Sequence, residues 1–262
     1  MGQTIVLMGM VLSAVPVGEY DRRIVLLTRE RGKISAFARG ARRPGNALMA
    51  ASSPFAFGQF EAYEGRSSYT VAKADISNYF RGLAEEVDSA YYGFYFMEVA
   101  DYYSRENADE LPMLKLLYQS LRALENKSLD NRLVRRIFEL KAMTINGECP
   151  NVFSCLKCQK EDGLKYFDVK SGGVFCGQCK DHGWELDDST LYTLQYIIAT
   201  RIEKLYTFTV SPEVLRKLEE IMNDTMAYYI DRKFHALQVL EENQGFSQQF
   251  SQNLRNEGQK NQ

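Results

Sequence analysis

The chain has 262 residues, a hydrophobic fraction of 45%, a charged fraction of 25% and a formal net charge of −2 at pH 7. These values are ordinary for a folded protein and exclude a polycation. No apolar run is long enough to cross a bilayer, and the first residues lack a basic leader followed by a small-residue cleavage site. We therefore expect a cytoplasmic protein without membrane attachment, in a compartment that keeps thiols reduced.

Positive charge is concentrated at the start of the chain. Residues 1–45 contain eight arginines and lysines but three acidic residues, so this segment carries +5 and the remainder about −7. A basic segment on a mildly acidic protein predicts a localised site for a polyanion.

Residues 1–78 have the pattern of a β domain. In the third predicted strand, Ile34, Ala36 and Ala38 alternate with Lys33, Ser35, Phe37 and Arg39. Five short strands with glycines at the bends suit a small closed barrel better than a sandwich. We expect an OB-type barrel, a fold that binds single strands with a basic groove and stacking aromatics. The predicted strands are 4–15, 21–28, 32–40, 55–65 and 67–77.

Three arginines, Arg39, Arg42 and Arg43, lie at the end of the third strand and in the loop after it. Arginines in such a loop either contact phosphates without reading bases or form a solvated rim of the domain. Phe37 either stacks on a base or packs on the sheet. The local density of positive charge favours nucleic-acid binding.

The remaining pattern is mainly helical and predicts a helical domain in two parts, 79–148 and 185–241. The dense aromatics of its first helix are expected to pack in the core. In the third helix Arg132, Arg135 and Arg136 form either a solvated basic face or a dock for an acidic peptide. Residues 242–262 are rich in Asn and Gln and are expected to be disordered. The predicted helices are 80–106, 110–125, 129–148, 187–206 and 211–242.

Four of the five cysteines form two Cys-x-x-Cys pairs, with the spacing C-x2-C-x17-C-x2-C. This spacing predicts one structural Zn²⁺ per chain, because four thiolates complete a tetrahedral shell. The alternatives are two disulfides, four unrelated buried cysteines, or a redox pair. The predicted module covers residues 149–184 and contains a hairpin that turns at Gly172–Gly173. Cys149 is expected to be an ordinary thiol, with replacement of one ligand as its alternative, and His182 is a candidate for a spare ligand. The predicted ligands are Cys155, Cys158, Cys176 and Cys179.

No catalytic motif stands out. The chain has no phosphate-binding G-x-x-x-x-G-K-[ST] loop, no H-E-x-x-H and no G-x-S-x-G. It has two histidines, and a zinc deaminase would need an H-x-E motif with an open metal position. We therefore expect a protein that is not an enzyme.

Taken in order, these parts resemble a known family. The basic OB-like start, the phrase FARGARRP, the helix RRIFELKAMTINGECPN, the two cysteine pairs and the last helical segment are similar to the bacterial recombination mediator RecO, over residues 1 to about 241. The resemblance implies a non-enzymatic, nucleoid-associated protein that binds single- and double-stranded DNA and anneals complementary strands. It also implies that the protein acts with RecR to load RecA on DNA coated by the single-strand binding protein SSB.

The resemblance also suggests roles for individual residues. It points to Lys33, Arg39, Arg42 and Arg43 as DNA contacts. It places the acidic SSB tail near the helix that carries Arg132, Arg135 and Arg136. Some members of this family lack the cysteines, so zinc is not a general requirement of the fold.

Two other functions fit the same features. A zinc-ribbon regulator would prefer one duplex sequence, whereas a mediator would show weak sequence preference and would anneal strands. A nuclease would need a divalent metal such as Mg²⁺ and would shorten labelled DNA.

Overall fold

The computed structural model describes residues 4–243. The chain begins with five strands and a short helix, α1 (Leu48–Ala51), that lies between the third and fourth strands. The strands are β1 (Thr4–Val17), β2 (Asp21–Thr28), β3 (Gly32–Ala38), β4 (Phe57–Glu64) and β5 (Tyr69–Asn78).

These five strands close into a barrel in the order β1-β2-β3-β5-β4, and β1 pairs with both β2 and β4. The pairing of β3 with β5 is parallel and completes the circle. The predicted OB-type barrel is thereby confirmed. The alternation predicted for β3 also holds, because Ile34, Ala36 and Ala38 are at most 1% exposed, and Ile34 and Ala36 belong to the core of the barrel interior.

Two glycines allow the barrel to close where β1 crosses β4. Gly9 and Gly58 are directly paired across these strands. A Cβ atom would lie 2.5 Å from the Leu27 carbonyl oxygen at Gly9 and 2.1 Å from the Asp75 carbonyl oxygen at Gly58. Backbones approach this closely only where a side chain is absent, so both positions require glycine.

The barrel contributes to two hydrophobic cores. Its interior forms one, and the outer side chains of Met10, Leu12 and Leu27 belong to the core of the helical domain. Strand β1 is long and contributes side chains to both cores. A bulge between Val11 and Ser13 changes which of its side chains point into the barrel. The barrel is therefore packed onto the helices through one wall, and its opposite wall is left for other contacts.

The observed helices differ from the predicted ones mainly at their ends. The first begins as a 3-10 turn, Arg81–Glu85, before α2 (Val87–Tyr103). The next two are α3 (Leu111–Leu124) and α4 (Asn131–Ile145), and the fourth, α5 (Asp188–Ala199), is followed by a separate 3-10 turn at Ile202–Lys204. Thr200 and Arg201 are extended between them.

The prediction of one continuous helix over 211–242 is wrong. Helix α6 (Pro212–Tyr229) ends at Ile230, which is extended, and residues 235–243 form a second helical stretch. The break buries Ile230 and Phe234, and Phe234 packs edge-on against Tyr95 of α2 with ring centroids 5.4 Å apart. This burial outweighs the cost of interrupting the helix. Residues 242 and 243, expected to be disordered, are helical; the rest of that predicted tail lies outside the described residues.

The cysteine-rich module is inserted between α4 and α5. It contains β6 (Leu164–Asp168) and β7 (Gly173–Cys176), which form the predicted hairpin, and an unpredicted third strand, β8 (Trp184–Glu185), paired with β6. Two-residue strands have too short a pattern to be recognised in a sequence. Over residues 4–243, no helix combines the length and the apolar composition needed to span a membrane.

Candidate metal centre and nucleic-acid interface

The four predicted ligands come together in space. The sulfur atoms of Cys155, Cys158, Cys176 and Cys179 all lie within 4.8 Å of one another. Cys158 Sγ and Cys176 Sγ are 3.7 Å apart. A tetrahedral metal with metal–sulfur bonds of about 2.3 Å requires sulfur–sulfur distances of about 3.8 Å, so this arrangement can hold a metal ion.

Local backbone geometry turns the first pair of sulfurs toward the site. The Cys155 N–H donates to the Lys160 carbonyl at 2.8 Å, and its carbonyl accepts from the Gln159 N–H at 2.9 Å. Gln159 takes a φ of 62°, in the left-handed region, to close this turn. In the second pair, the Cys179 N–H donates to the Cys176 carbonyl at 3.0 Å. Each Cys-x-x-Cys is therefore a tight turn that presents two thiols on the same side.

The environment of the sulfurs shifts the pKa values of the clustered thiols in both directions. Burial raises the pKa of Cys155, but backbone N–H groups of Cys158, Cys176 and Lys157 outweigh it and lower that pKa to about 6. The pKa of Cys176 is lowered in the same way. Hydrogen bonds with Cys158 and Cys176 instead raise the pKa of the Cys179 thiol to about 12. Thiols this close share protons, which a bound cation replaces.

Cys149 and His182 are not members of this cluster. Cys149 is exposed, and its Sγ lies 3.6 Å from the carbonyl oxygen of Pro150. His182 is an exposed side chain whose Nδ1 is 3.1 Å from Asp181. The prediction that the other four cysteines come together is confirmed, and their cluster is able to bind a metal ion.

The module is anchored to the rest of the protein by its apolar residues. Cys155, Phe167 and Val174 are at most 2% exposed and are part of the helical-domain core. Lys180 pairs with Asp168 and lies 4.5 Å above the Phe175 ring. A metal ion in this position would connect two turns of the chain, and four cysteine ligands would leave it no open coordination position, which suits a structural role.

The three predicted arginines lie on an exposed loop, residues 39–47, at the rim of the barrel. Gly40 has a φ of 66° and donates its N–H to Asp21 Oδ1 at 2.7 Å. The Arg42 N–H donates to the Tyr20 carbonyl at 2.8 Å, and the Arg43 guanidinium lies 4.5 Å from the centre of the Tyr20 ring. The β1–β2 turn thus supports the loop, and the guanidinium groups remain at the surface.

These arginines lack the ion pairs that neutralise other basic residues of the barrel. Arg29 pairs with Glu30, and Arg31 lies 3.7 Å from Glu64. In the part of the chain that the structure describes, Arg39, Arg42, Arg43 and also Arg23 have no carboxylate within salt-bridge distance. Sequence reasoning missed Arg23, although its charge and its position in a predicted strand were visible.

The other two predicted DNA contacts have different environments. Lys33 Nζ lies 3.3 Å from Asp101 Oδ1 of α2 and also donates to the Asp101 carbonyl. Phe37 is half-buried on the outer side of β3, directly opposite Arg23 of β2. Lys33 therefore links barrel and helices, whereas Phe37 lies on the barrel surface.

The expected exposed basic face of α4 is wrong for two of its three arginines. Arg135 is 8% exposed and Arg136 is 3% exposed. Both bind Glu139, which is fully buried, at 2.7 Å and 2.9 Å. Arg132 remains exposed and pairs with Asp130 at 2.7 Å. Glu139 follows Arg135 by one helical turn, so its position on the same face was visible in the sequence.

Together, the fold and the site define a protein in which an OB-type barrel with a basic rim is followed by a helical region that carries a four-cysteine cluster able to hold a metal ion. The family model described as "Recombination protein O N terminal" matches residues 1–80, and "Recombination protein O C terminal" matches residues 84–238. The chain belongs to the RecO family of DNA repair proteins.

Individual relatives agree with the family models. The chain is 30% identical over 238 residues to "DNA repair protein RecO" of Alkaliphilus metalliredigens, a match that covers 88% of this chain and 96% of the relative. Proteins of the same name from Acetivibrio thermocellus and Halalkalibacterium halodurans are both 27% identical, with 88% and 92% of this chain covered and 94% and 96% of the relatives. The resemblance found in the sequence is confirmed.

Proposed function

We propose that the protein is a non-enzymatic recombination mediator that binds DNA through the rim of its barrel. It anneals complementary strands and, together with RecR, helps to load RecA on SSB-coated single-stranded DNA. The observation that supports this most directly is the loop of Arg39, Arg42 and Arg43, whose guanidinium groups are exposed and free of carboxylate partners among residues 4–243. Exposed guanidinium groups without carboxylate partners bind phosphate groups.

Annealing follows from the physics of this surface. Binding by arginine releases counterions from the phosphates and gives affinity without sequence selection. Two complementary strands repel each other, so a basic surface that holds one strand and tolerates the other lowers the barrier to pairing. We propose Lys33 as a secondary contact only, because its ammonium group already binds Asp101.

We propose that the metal is Zn²⁺, held by the four clustered cysteines. Tetrahedral thiolate sites are typical of structural zinc. The ion would supply a rigid connection between the two Cys-x-x-Cys turns, and these turns fix the hairpin that packs into the helical core. Its contribution is to folding stability and not to a reaction.

The acidic SSB tail is proposed to dock on the helical domain near α4. Of the three arginines that the sequence suggested, Arg132 is the one whose side chain is half exposed, at 53%. Arg135 and Arg136 would contribute indirectly, because their hydrogen bonds to Glu139 stabilise the part of α4 that carries Arg132. The protein is proposed to act in the cytoplasm at the nucleoid.

An annealing experiment tests this proposal. We expect the wild-type protein to accelerate pairing of two complementary oligonucleotides of arbitrary sequence, and Arg39/Arg42/Arg43→Ala to lose most of that acceleration. The matched control is Arg201/Lys204/Arg216→Ala, which removes three exposed cations from the helical domain. Strong preference for one duplex sequence, without annealing, would favour a zinc-ribbon regulator. Shortening of the labelled strands with Mg²⁺ would favour a nuclease.

A further inference from the structure

The arginine loop, residues 39–47, leads into the short helix α1, and two consecutive residues of strand β2 hold this segment. At its start, the Gly40 N–H donates to Asp21 Oδ1 at 2.7 Å. Gly40 has a φ of 66°, which glycine adopts without strain, so the chain can turn here toward the carboxylate. Ala41, the next residue, is fully buried. The beginning of the loop is therefore fixed to β2.

Arg22 holds the other end of the segment. Its Nη1 lies 2.8 Å from the Met49 carbonyl oxygen, and 3.1 and 3.2 Å from the hydroxyl oxygens of Ser52 and Ser53. The Met49 carbonyl belongs to α1, a helix of four residues, and carbonyl groups in the last turn of a helix lack helical partners. The guanidinium supplies the missing donor and ties α1 to β2.

The two consecutive arginines of β2 point to different sides of the barrel. Arg22 is directly opposite Ala38 on β3, and Arg23 is directly opposite Phe37. Directly paired residues of antiparallel strands point to the same side. Ala38 is fully buried, whereas Phe37 is half-buried on the outer side. Arg22 therefore turns away from the outer surface, and its guanidinium is used within the protein.

We propose that Asp21 and Arg22 are positioning residues for DNA binding. They hold the arginine loop at both ends and fix the spacing of its guanidinium groups without contacting DNA themselves. A loop that is already ordered loses less conformational freedom when it binds, which raises affinity. The effect of Asp21 is opposite to the one its charge suggests, because a carboxylate beside a phosphate-binding loop repels DNA. This role rests on the proposed DNA binding by the barrel.

The direction of the change in affinity separates positioning by Asp21 from its charge. Asp21→Ala removes a negative charge, so electrostatic repulsion alone predicts tighter binding of a labelled thymidine oligonucleotide. We expect binding weaker by at least about threefold, because the Gly40 N–H loses its acceptor. Asp21→Asn keeps an acceptor oxygen and should bind at least as tightly as the wild type. The matched control Glu19→Ala removes an exposed carboxylate from the same turn and should not weaken binding.

Arg22 is tested by the salt dependence of its variants. Arg22→Met should weaken oligonucleotide binding by about threefold with the wild-type salt dependence, because the loop arginines that displace counterions remain. Arg22→Lys keeps the charge but lacks the planar fork of donors, so it should weaken binding similarly. Hydrogen exchange of residues 39–56, measured by mass spectrometry, reports the loop directly. We expect faster exchange in Asp21→Ala and Arg22→Met, and wild-type exchange in Asp21→Asn and Glu19→Ala.

Three results would overturn the positioning role. Asp21→Ala that binds as tightly as Asp21→Asn would leave Asp21 as a negative charge only. A smaller salt dependence in Arg22→Met, with full affinity in Arg22→Lys, would show that Arg22 contacts a phosphate. Wild-type hydrogen exchange in both Asp21→Ala and Arg22→Met would show that neither residue holds the loop. These results presuppose a wild type that binds DNA, and if it binds none, the proposed function itself fails.

Discussion

Lys33 on strand β3 and Asp101 on helix α2 form an ion pair with 3.3 Å between Nζ and Oδ1. The other oxygen of Asp101 lies 3.6 Å from Arg232, which follows α6. One carboxylate of helix α2 thus connects the barrel with the extended segment that follows α6. Lys33 is consequently a residue of the junction between barrel and helices, although the family resemblance pointed to it as a DNA contact.

Replacing Lys33 should affect stability more than DNA binding. We expect Lys33→Met to lower the free energy of unfolding by about 1 kcal/mol, since a half-exposed ion pair and a hydrogen bond are lost. Denaturant titration measures this change. Lys73→Met is the control, because Lys73 is 72% exposed and lies 3.8 Å from Glu61. An unchanged stability with a clearly smaller salt dependence of DNA binding would show that Lys33 contacts phosphates.

Metal binding should depend on the clustered cysteines and not on Cys149. We expect Cys158→Ser to abolish stoichiometric metal and to lower the melting temperature, because metal affinity contributes directly to folding. Cys149→Ser should retain one metal ion per chain. Elemental analysis of the purified proteins identifies the metal and its amount. Retention of metal by Cys158→Ser would contradict the assigned ligand set.

Glu139 should be required for a stable helical core. It is fully buried between Arg135 and Arg136 and accepts a hydrogen bond from the Tyr95 hydroxyl at 2.7 Å. Glu139→Gln removes the buried counter-charge of both guanidinium groups and leaves Arg135 with only the more distant, exposed Glu241 at 3.8 Å. We therefore expect a loss of about 3–5 kcal/mol in the free energy of unfolding. The control Glu203→Gln removes an exposed carboxylate 3.9 Å from Lys115 and should cost less than about 1 kcal/mol. Equal effects of the two substitutions would contradict this role.

The Glu139 carboxylate should make the free energy of unfolding depend on pH in the acidic range. Burial alone would raise the pKa of Glu139, but Arg135, Arg136 and the Tyr95 hydroxyl outweigh it and hold that pKa below its ordinary value of 4.5. A carboxyl group whose pKa is lower in the folded protein than in the unfolded chain stabilises the fold fully at pH values above its unfolded-state pKa. This stabilisation is lost as the pH falls through the folded-state pKa. The stability difference between wild type and Glu139→Gln should therefore be constant above pH 5 and shrink below about pH 4.5. Urea midpoints across this range measure it, and a difference that grows on acidification would contradict the assignment.

The barrel and the cysteine cluster could be predicted because their signals are local. Alternation in β3 follows directly from which side of the strand faces the interior, as Ile34 and Ala36 show. The two Cys-x-x-Cys turns impose a metal geometry within each turn, so spacing alone identifies the ligands. Each signal can be read from a short stretch of sequence, although the barrel itself closes through pairing of distant strands such as β1 and β4.

Other features depend on contacts that distant segments create. The end of α6 at Ile230 has no glycine or proline signal and follows from the packing of Phe234 on Tyr95. The burial of Arg136 is set by the elements that cover α4. The contact between Tyr20 and Arg43 forms only when the arginine loop folds back on the β1–β2 turn and places the guanidinium over the ring. Sequence patterns do not contain these distances.

The most direct test of the account is the salt dependence of single-strand binding, measured by fluorescence anisotropy for wild type and Arg39/Arg42/Arg43→Ala. We expect the slope of log affinity against log salt to be smaller by roughly 2 units in the variant, at about 0.7 per phosphate contact. The Arg201/Lys204/Arg216→Ala control should keep the wild-type slope. An unchanged slope in the loop variant would contradict the account, because the phosphates would then be bound elsewhere.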